Sequence, residues 1–78
     1  MSVYLTLTDT FGGEANFAWA RRDVVPEDVA ERGHRAVVRY AKQWARLNGR
    51  RCQKDDFGDA ITLWPRGLCQ VLFIEWRD

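Results

Sequence analysis

The sequence predicts an α+β fold: one antiparallel β-sheet with a single amphipathic helix packed across one face. Two observations carry that prediction. Apolar residues alternate with polar ones at a period of two near both ends of the chain, as half-buried strands require. Between Pro26 and Gly49 the apolar positions instead recur at helical spacing. With 78 residues the chain makes one domain over 1–78, because folding at this size buries only about 60% of the unfolded surface and leaves no material for a second core. Its 46% hydrophobic and 29% charged residues match ordinary globular usage and exclude a disordered polyelectrolyte.

Ser2 to Thr8 places Val3, Leu5 and Leu7 on one face and Tyr4, Thr6 and Thr8 on the other. Gly12-Gly13 supplies a turn that tolerates positive φ. Glu14 to Arg22 alternates again, with Ala15, Phe17 and Trp19 on one side, so the two segments read as a hairpin. Pro26 suits a helix start because its missing N–H has no partner there, and Glu27 and Asp28 complement the helix dipole. Val37, Ala41, Trp44 and Ala45 form the apolar face, flanked by Val38 and Tyr40. Asn48-Gly49 marks the helix end, since either residue adopts the left-handed conformation. Gly33 lies inside the pattern and costs about 1 kcal/mol relative to alanine, which predicts a break or kink there.

Beyond the helix, Arg51 to Lys54 is a weak strand candidate and Asp55-Asp56-Phe57-Gly58 a polar turn. Asp59 to Trp64 sets Ile61 and Leu63 against Ala60, Thr62 and Trp64, and Pro65-Arg66-Gly67 turns the chain into Leu68 to Trp76. That last segment holds the apolar run Val71-Leu72-Phe73-Ile74 and is expected at the centre of the sheet. The element order is β-β-α-β-β-β. The apolar run is far shorter than the roughly 20 residues of a membrane span, and no basic region followed by an apolar stretch opens the chain. A non-membrane, cytoplasmic protein is expected.

The net charge of +1 hides a sharp division. Arg32 to Lys54 contains eight basic residues and no acid, whereas both flanking thirds are acidic. On the helix, Arg32, Arg35, Arg39, Lys42 and Arg46 recur at spacings of three and four, which aligns them within about 80° of arc opposite Trp44. The result is a cationic ridge roughly 21 Å long. Solvated helix faces ordinarily interleave glutamates to relieve repulsion, and here none is present. A ridge of guanidinium groups suits a phosphate backbone or an acidic protein surface. No zinc finger, helix-turn-helix or RNA-recognition signature accompanies it.

Chemistry is sparsely represented. His34, the single histidine, has no serine or cysteine nucleophile in recognisable relation to it, and Gly12-Gly13 lacks the rest of a phosphate-binding loop. Two cysteines and one histidine cannot complete a structural zinc site, so no metal, cofactor or catalytic residue is assigned. Cys52 and Cys69 read as small buried hydrophobes, with a bridge between them open. Most of the ten aromatic residues are expected in the core. Trp64 and Trp76 form a candidate pair on the sheet face the helix leaves open, for stacking or dimerisation.

The stretch Asp9-Thr10-Phe11-Gly12-Gly13-Glu14-Ala15-Asn16-Phe17-Ala18-Trp19, closing on Arg21-Arg22, resembles a signature of small proteins of phages and integrated elements. In size and style the whole chain is similar to the type I anti-CRISPR proteins. That resemblance implies an inhibitor that binds a subunit of a host CRISPR effector complex, or its nuclease, and blocks target DNA binding or cleavage. Many such inhibitors are acidic DNA mimics. This chain departs from them in net charge, although Asp9, Glu14, Asp55, Asp56 and Asp59 offer a local acidic patch of that kind. Two expectations therefore stand: an anti-CRISPR protein acting by protein–protein contact, and a small nucleic-acid-binding accessory or regulatory protein using the basic ridge. Oligomeric state is left open between monomer and homodimer.

Overall fold

The computed structural model describes residues 2–77. It contains β1 (Ser2–Phe11), β2 (Glu14–Val24), α1 (Glu27–Ala30), α2 (His34–Trp44), β3 (Cys52–Asp56), β4 (Ala60–Pro65) and β5 (Gln70–Arg77). The five strands form one sheet in the order β2-β1-β5-β4-β3, antiparallel throughout. The α+β class is as expected, and β5, with its apolar run, is the central strand.

Strand pairing sorts side chains into two faces. Val3, Leu5 and Leu7 lie with Leu72 and Ile74 and with Ile61 and Leu63, all at most 3% exposed. Against them pack Val37, Ala41 and Ala45 of the α2 stretch, together with Val25 and Leu47. Each large aliphatic buried there contributes about 1.5–3 kcal/mol.

Several details depart from expectation, each for a local reason. The single helix is two, because Gly33 adopts φ 100° and ψ 179° and interrupts the ladder between α1 and α2. The second helix ends before Asn48-Gly49. Arg46 takes the left-handed conformation at φ 59°, its N–H donates to the Gln43 carbonyl, and the Leu47 N–H donates to the Lys42 carbonyl. This pair of bonds is a Schellman termination, and it turns Leu47, 1% exposed, into the core. Burial of one leucine thus ends the helix despite the arginine's unfavourable φ. Asp55 and Asp56 belong to β3, and the turn is Phe57-Gly58-Asp59, closed by the Phe57 N–H donating to the Ala60 carbonyl.

The two tryptophans expected to pair lie on opposite faces. Trp76 shares the helix side and stacks on His34 at 4.1 Å between ring centroids. Trp64 shares the open side, where its indole N–H donates to Asp55 Oδ2 at 2.9 Å. Cys52 and Cys69 are both free thiols, and Cys69 is exposed rather than buried.

The glycine provides a test by sign. In a continuous helix, Gly33→Ala would stabilise by about 1 kcal/mol. At φ 100° the same change is expected to destabilise by about 1–3 kcal/mol, read from the urea midpoint. Leu72→Ala in the central strand is expected to cost about 2–5 kcal/mol in the same assay.

Candidate functional site

The break at Gly33 and the turn at Arg46 divide the cationic ridge. Arg35, Arg39 and Lys42 remain on α2. Arg32 lies in the turn after α1, where it faces Asp28 at 3.9 Å, and Arg46 lies beyond the helix end. The five residues therefore do not form one continuous helical row. Arg35 lines a small cleft with Lys54 and Asp56. Among the described residues the ion pairs are Arg32–Asp28 and Arg77–Glu75, so Arg35, Arg39, Lys42 and Arg46 have no carboxylate partner.

What the fold brings together instead is a basic corner at the C-terminal end of α2. Lys42, Arg50, Arg51 and Arg66 line a cleft of about 510 Å³. An adjoining cleft of about 460 Å³ adds Arg46 and Asn48 to Arg50, Arg51 and Arg66. Neither is lined by an aspartate or glutamate. The corner is built by backbone acceptors. Lys42 Nζ donates to the Arg50 carbonyl at 3.3 Å, and Arg50 Nη1 donates to the Arg66 carbonyl at 2.8 Å. The Arg66 N–H donates to the Arg51 carbonyl at 2.9 Å. These bonds tie the loop after α2 to the β4–β5 turn and hold cations from three segments beside one another. Such an arrangement repels itself in isolation and gains when an anion enters. The sequence lists these residues but not their meeting, because Arg66 comes from a turn sixteen residues past Arg50.

The five acids offered as a patch are dispersed. Asp9 and Glu14 belong to the β1–β2 hairpin, while Asp55, Asp56 and Asp59 lie on and beside β3 at the far edge. In strand register Asp9 sits opposite Gln70 and Ala60 opposite Glu75, so the two groups also occupy opposite ends of β5. They are not one surface.

Asp9 has a structural task. The hairpin closes through Gly12 and Gly13, both at positive φ, and its register then shifts between Thr8 and Thr10. Phe17 takes φ 56° in the β2 strand opposite that shift. Asp9 Oδ1 accepts from the Ala18 N–H and Oδ2 from Asn16 Nδ2, both at 2.9 Å. The Asn16 bond foremost holds the Asp9 carboxyl below its ordinary value against an opposing desolvation, with backbone donors adding to the lowering. Further along the same hairpin, Arg21 sits 4.5 Å above the Trp44 ring and donates to the Trp44 carbonyl at 3.1 Å, which caps the end of α2. The Asp9–Arg22 motif thus has a physical account as a bulged hairpin that also braces the helix. It leaves Phe11 79% and Trp19 41% exposed.

Among the described residues no three His, Cys, Asp or Glu side chains gather as a metal site requires, and no helix is long and apolar enough to cross a membrane. No protein-family model, no curated protein and no solved structure matches the chain, so function is argued from this geometry.

The lowered Asp9 carboxyl stabilises the fold only while ionised: its contribution is present above the unfolded carboxylate's pKa of about 4 and is lost as pH falls through the lower folded value. Asp9→Asn is therefore expected to lower Tm at neutral pH, with the difference from the parent shrinking in acid. Thermal melts across the acid range check this. A constant offset would show that the carboxylate charge is not what the bulge requires.

Proposed function

We propose that this protein acts by binding rather than by catalysis, and that its partner is a nucleic acid gripped through its phosphates by the basic corner. The observation that carries this is the convergence of Lys42, Arg46, Arg50, Arg51 and Arg66 on adjoining clefts with no acid in their lining. Guanidinium groups suit phosphate oxygens because they present two parallel donors in a plane. Arg35 and Arg39 extend the positive surface along α2. Arg46 adds a second consideration. A non-glycine residue in the left-handed region carries a backbone cost of about 1–2 kcal/mol, and an arginine retained there is understandable if its side chain is used.

Fluorescence anisotropy with a labelled oligonucleotide tests this. If four or five phosphates are neutralised, log K should fall against log salt with a slope of about −4. Arg46→Ala with Arg51→Ala is expected to reduce that slope by about 2. Arg46→Gly separates binding from folding, since relief of the backbone cost, partly offset by a freer unfolded chain, should raise stability by about 0.5 kcal/mol while affinity drops. Absence of binding at low salt would overturn the reading.

A second reading is supported by the hairpin. Phe11 and Trp19 are exposed large apolar residues within the Asp9–Arg22 motif, and that motif carries the resemblance to small phage and mobile-element proteins. On this reading the chain is an anti-CRISPR inhibitor that docks its hairpin on a type I effector subunit or nuclease. Expression in cells with active type I interference should restore phage plating, and Phe11→Ser with Trp19→Ser should abolish the restoration. Undiminished interference across the subtypes tested would remove this reading.

A further inference from the structure

The face of the sheet that α2 does not cover is neither polar nor empty. Strand register places Tyr4 and Thr6 of β1, Arg22 and Val24 of β2, Phe73, Glu75 and Arg77 of β5, and Thr62 and Trp64 of β4 on it. The bulge in β2 adds Phe17, whose ring lies nearly parallel to that of Phe73, at 8° and 6.4 Å between centroids. Phe17 is 53% exposed and Tyr4 36%. Around the two phenylalanines is a cleft of about 350 Å³, completed by Thr6, Arg22, Glu75 and Arg77, within the about 300–1,000 Å³ range of small-ligand sites.

We propose that this face is a stacking platform for unpaired nucleobases, so that the nucleic acid held by the basic corner is single-stranded. The inference rests on the nucleic-acid reading above and names its substrate class. The occupant is argued from charge. The one carboxylate in the cleft, Glu75, is neutralised by Arg77 at 2.9 Å, and Arg77 also lies 5.2 Å from the Tyr4 ring centroid. Asp55, the other acid of this face, accepts the Trp64 indole N–H. Arg22 is exposed and has no carboxylate partner among the described residues. What remains unengaged is one guanidinium among aromatic ring faces, which is the chemistry that takes up bases and the phosphates between them.

Continuity supports the same occupant. Trp64 on the open face is two residues from Arg66 of the basic corner, so β4 carries an aromatic ring and leads directly into a phosphate-binding cation at the sheet's edge. A strand anchored by phosphates at the corner passes across β4 and β5 toward Phe73 and Phe17. Duplex DNA hides its ring faces in the stack and cannot use such a platform.

The test compares binding of a labelled mixed-sequence single strand of 15 nucleotides with a blunt duplex of the same length, for the parent, for Phe17→Ala and for Arg46→Ala with Arg51→Ala. Phe17 is exposed and the alanine keeps a Cβ at the same φ, so folding is retained, which circular dichroism checks. The single strand is expected to bind at least about ten-fold tighter than the duplex, and Phe17→Ala to lose about ten-fold or more on the single strand alone, with the salt slope unchanged. The corner variant should weaken both ligands and flatten the slope. Equal binding of both ligands with no effect of Phe17→Ala would overturn the platform and leave the basic-corner reading standing. No binding of either ligand would overturn both. A concentration-dependent dimer in light scattering that Phe17→Glu abolishes would assign the face to a second copy and overturn the proposal.

Discussion

One short helix has to close the core of a five-stranded sheet, and the remaining structure follows from how α2 does so. Val37 and Ala41 are fully buried and Ala45 nearly so, in the same core cluster as Leu5, Leu72 and Ile74. On the core side α2 itself contributes small residues, so most of the large side chains of the core come from the sheet. The cover is a single layer. Neither helix of the described residues lies on the opposite sheet face, so its side chains must tolerate water or be covered by something else. Thr6 and the exposed Arg22 are the tolerant kind, Thr62 is itself buried, and Tyr4, Phe17 and Phe73 are not tolerant.

The same constraint shapes the charge distribution. A helix lying on a sheet has one buried stripe and a wide solvent side, and here that side is filled with Arg35, Arg39 and Lys42. Termination of α2 then matters for more than chain direction. Turning Leu47 into the core forces Arg46 into the left-handed conformation and brings the following loop back toward the β4–β5 turn. There Arg50 reaches the Arg66 carbonyl. Backbone carbonyls, not carboxylates, hold these cations in place, so their positive charge is positioned without being neutralised. A corner stabilised by ion pairs would have been equally well ordered and chemically spent.

Much of this was legible from local pattern, and the parts that were not share a cause. Val3, Leu5 and Leu7, or Ile61 and Leu63, declare their face because strand alternation is a property of the segment itself. The helix start at Pro26 and the hairpin at Gly12-Gly13 are local for the same reason. Gly33 was visible as an interruption, but whether it kinks or breaks depends on how α1 meets β1, which spacing does not encode. Alternation alone puts Phe17 on the side of Trp19, whereas the register shift, four β2 residues against one of β1, carries Phe17 across the sheet and leaves no mark in the alternation before it. The basic corner is the clearest case. Arg46, Arg50 and Arg51 are near one another in sequence, whereas Arg66 joins them only through the pairing of Cys52 with Pro65 across β3 and β4. Trp64 and Trp76 fail for the opposite reason: both are even-numbered on adjacent strands, but Ile61 pairs with Ile74, and that register sends the two rings to opposite faces.

The bulged hairpin connects these surfaces physically. Asp9 accepts the Ala18 N–H and Asn16 amide, which stabilises the three extra residues of β2 at the register shift and so places Phe17 over Phe73 rather than on the helix side. Four residues on, Arg21 caps α2 at the Trp44 carbonyl, one turn from the Schellman pair that orients Arg46. One hairpin therefore determines both the aromatic character of the open face and the end of the helix from which the basic corner grows. A mutation at Asp9 would disturb the phenylalanine pair directly, whereas loss of Arg21 would loosen the helix terminus first. The motif's residues are thus accounted for by placement of two separate surfaces, and this explains why one hairpin carries so specific a local pattern.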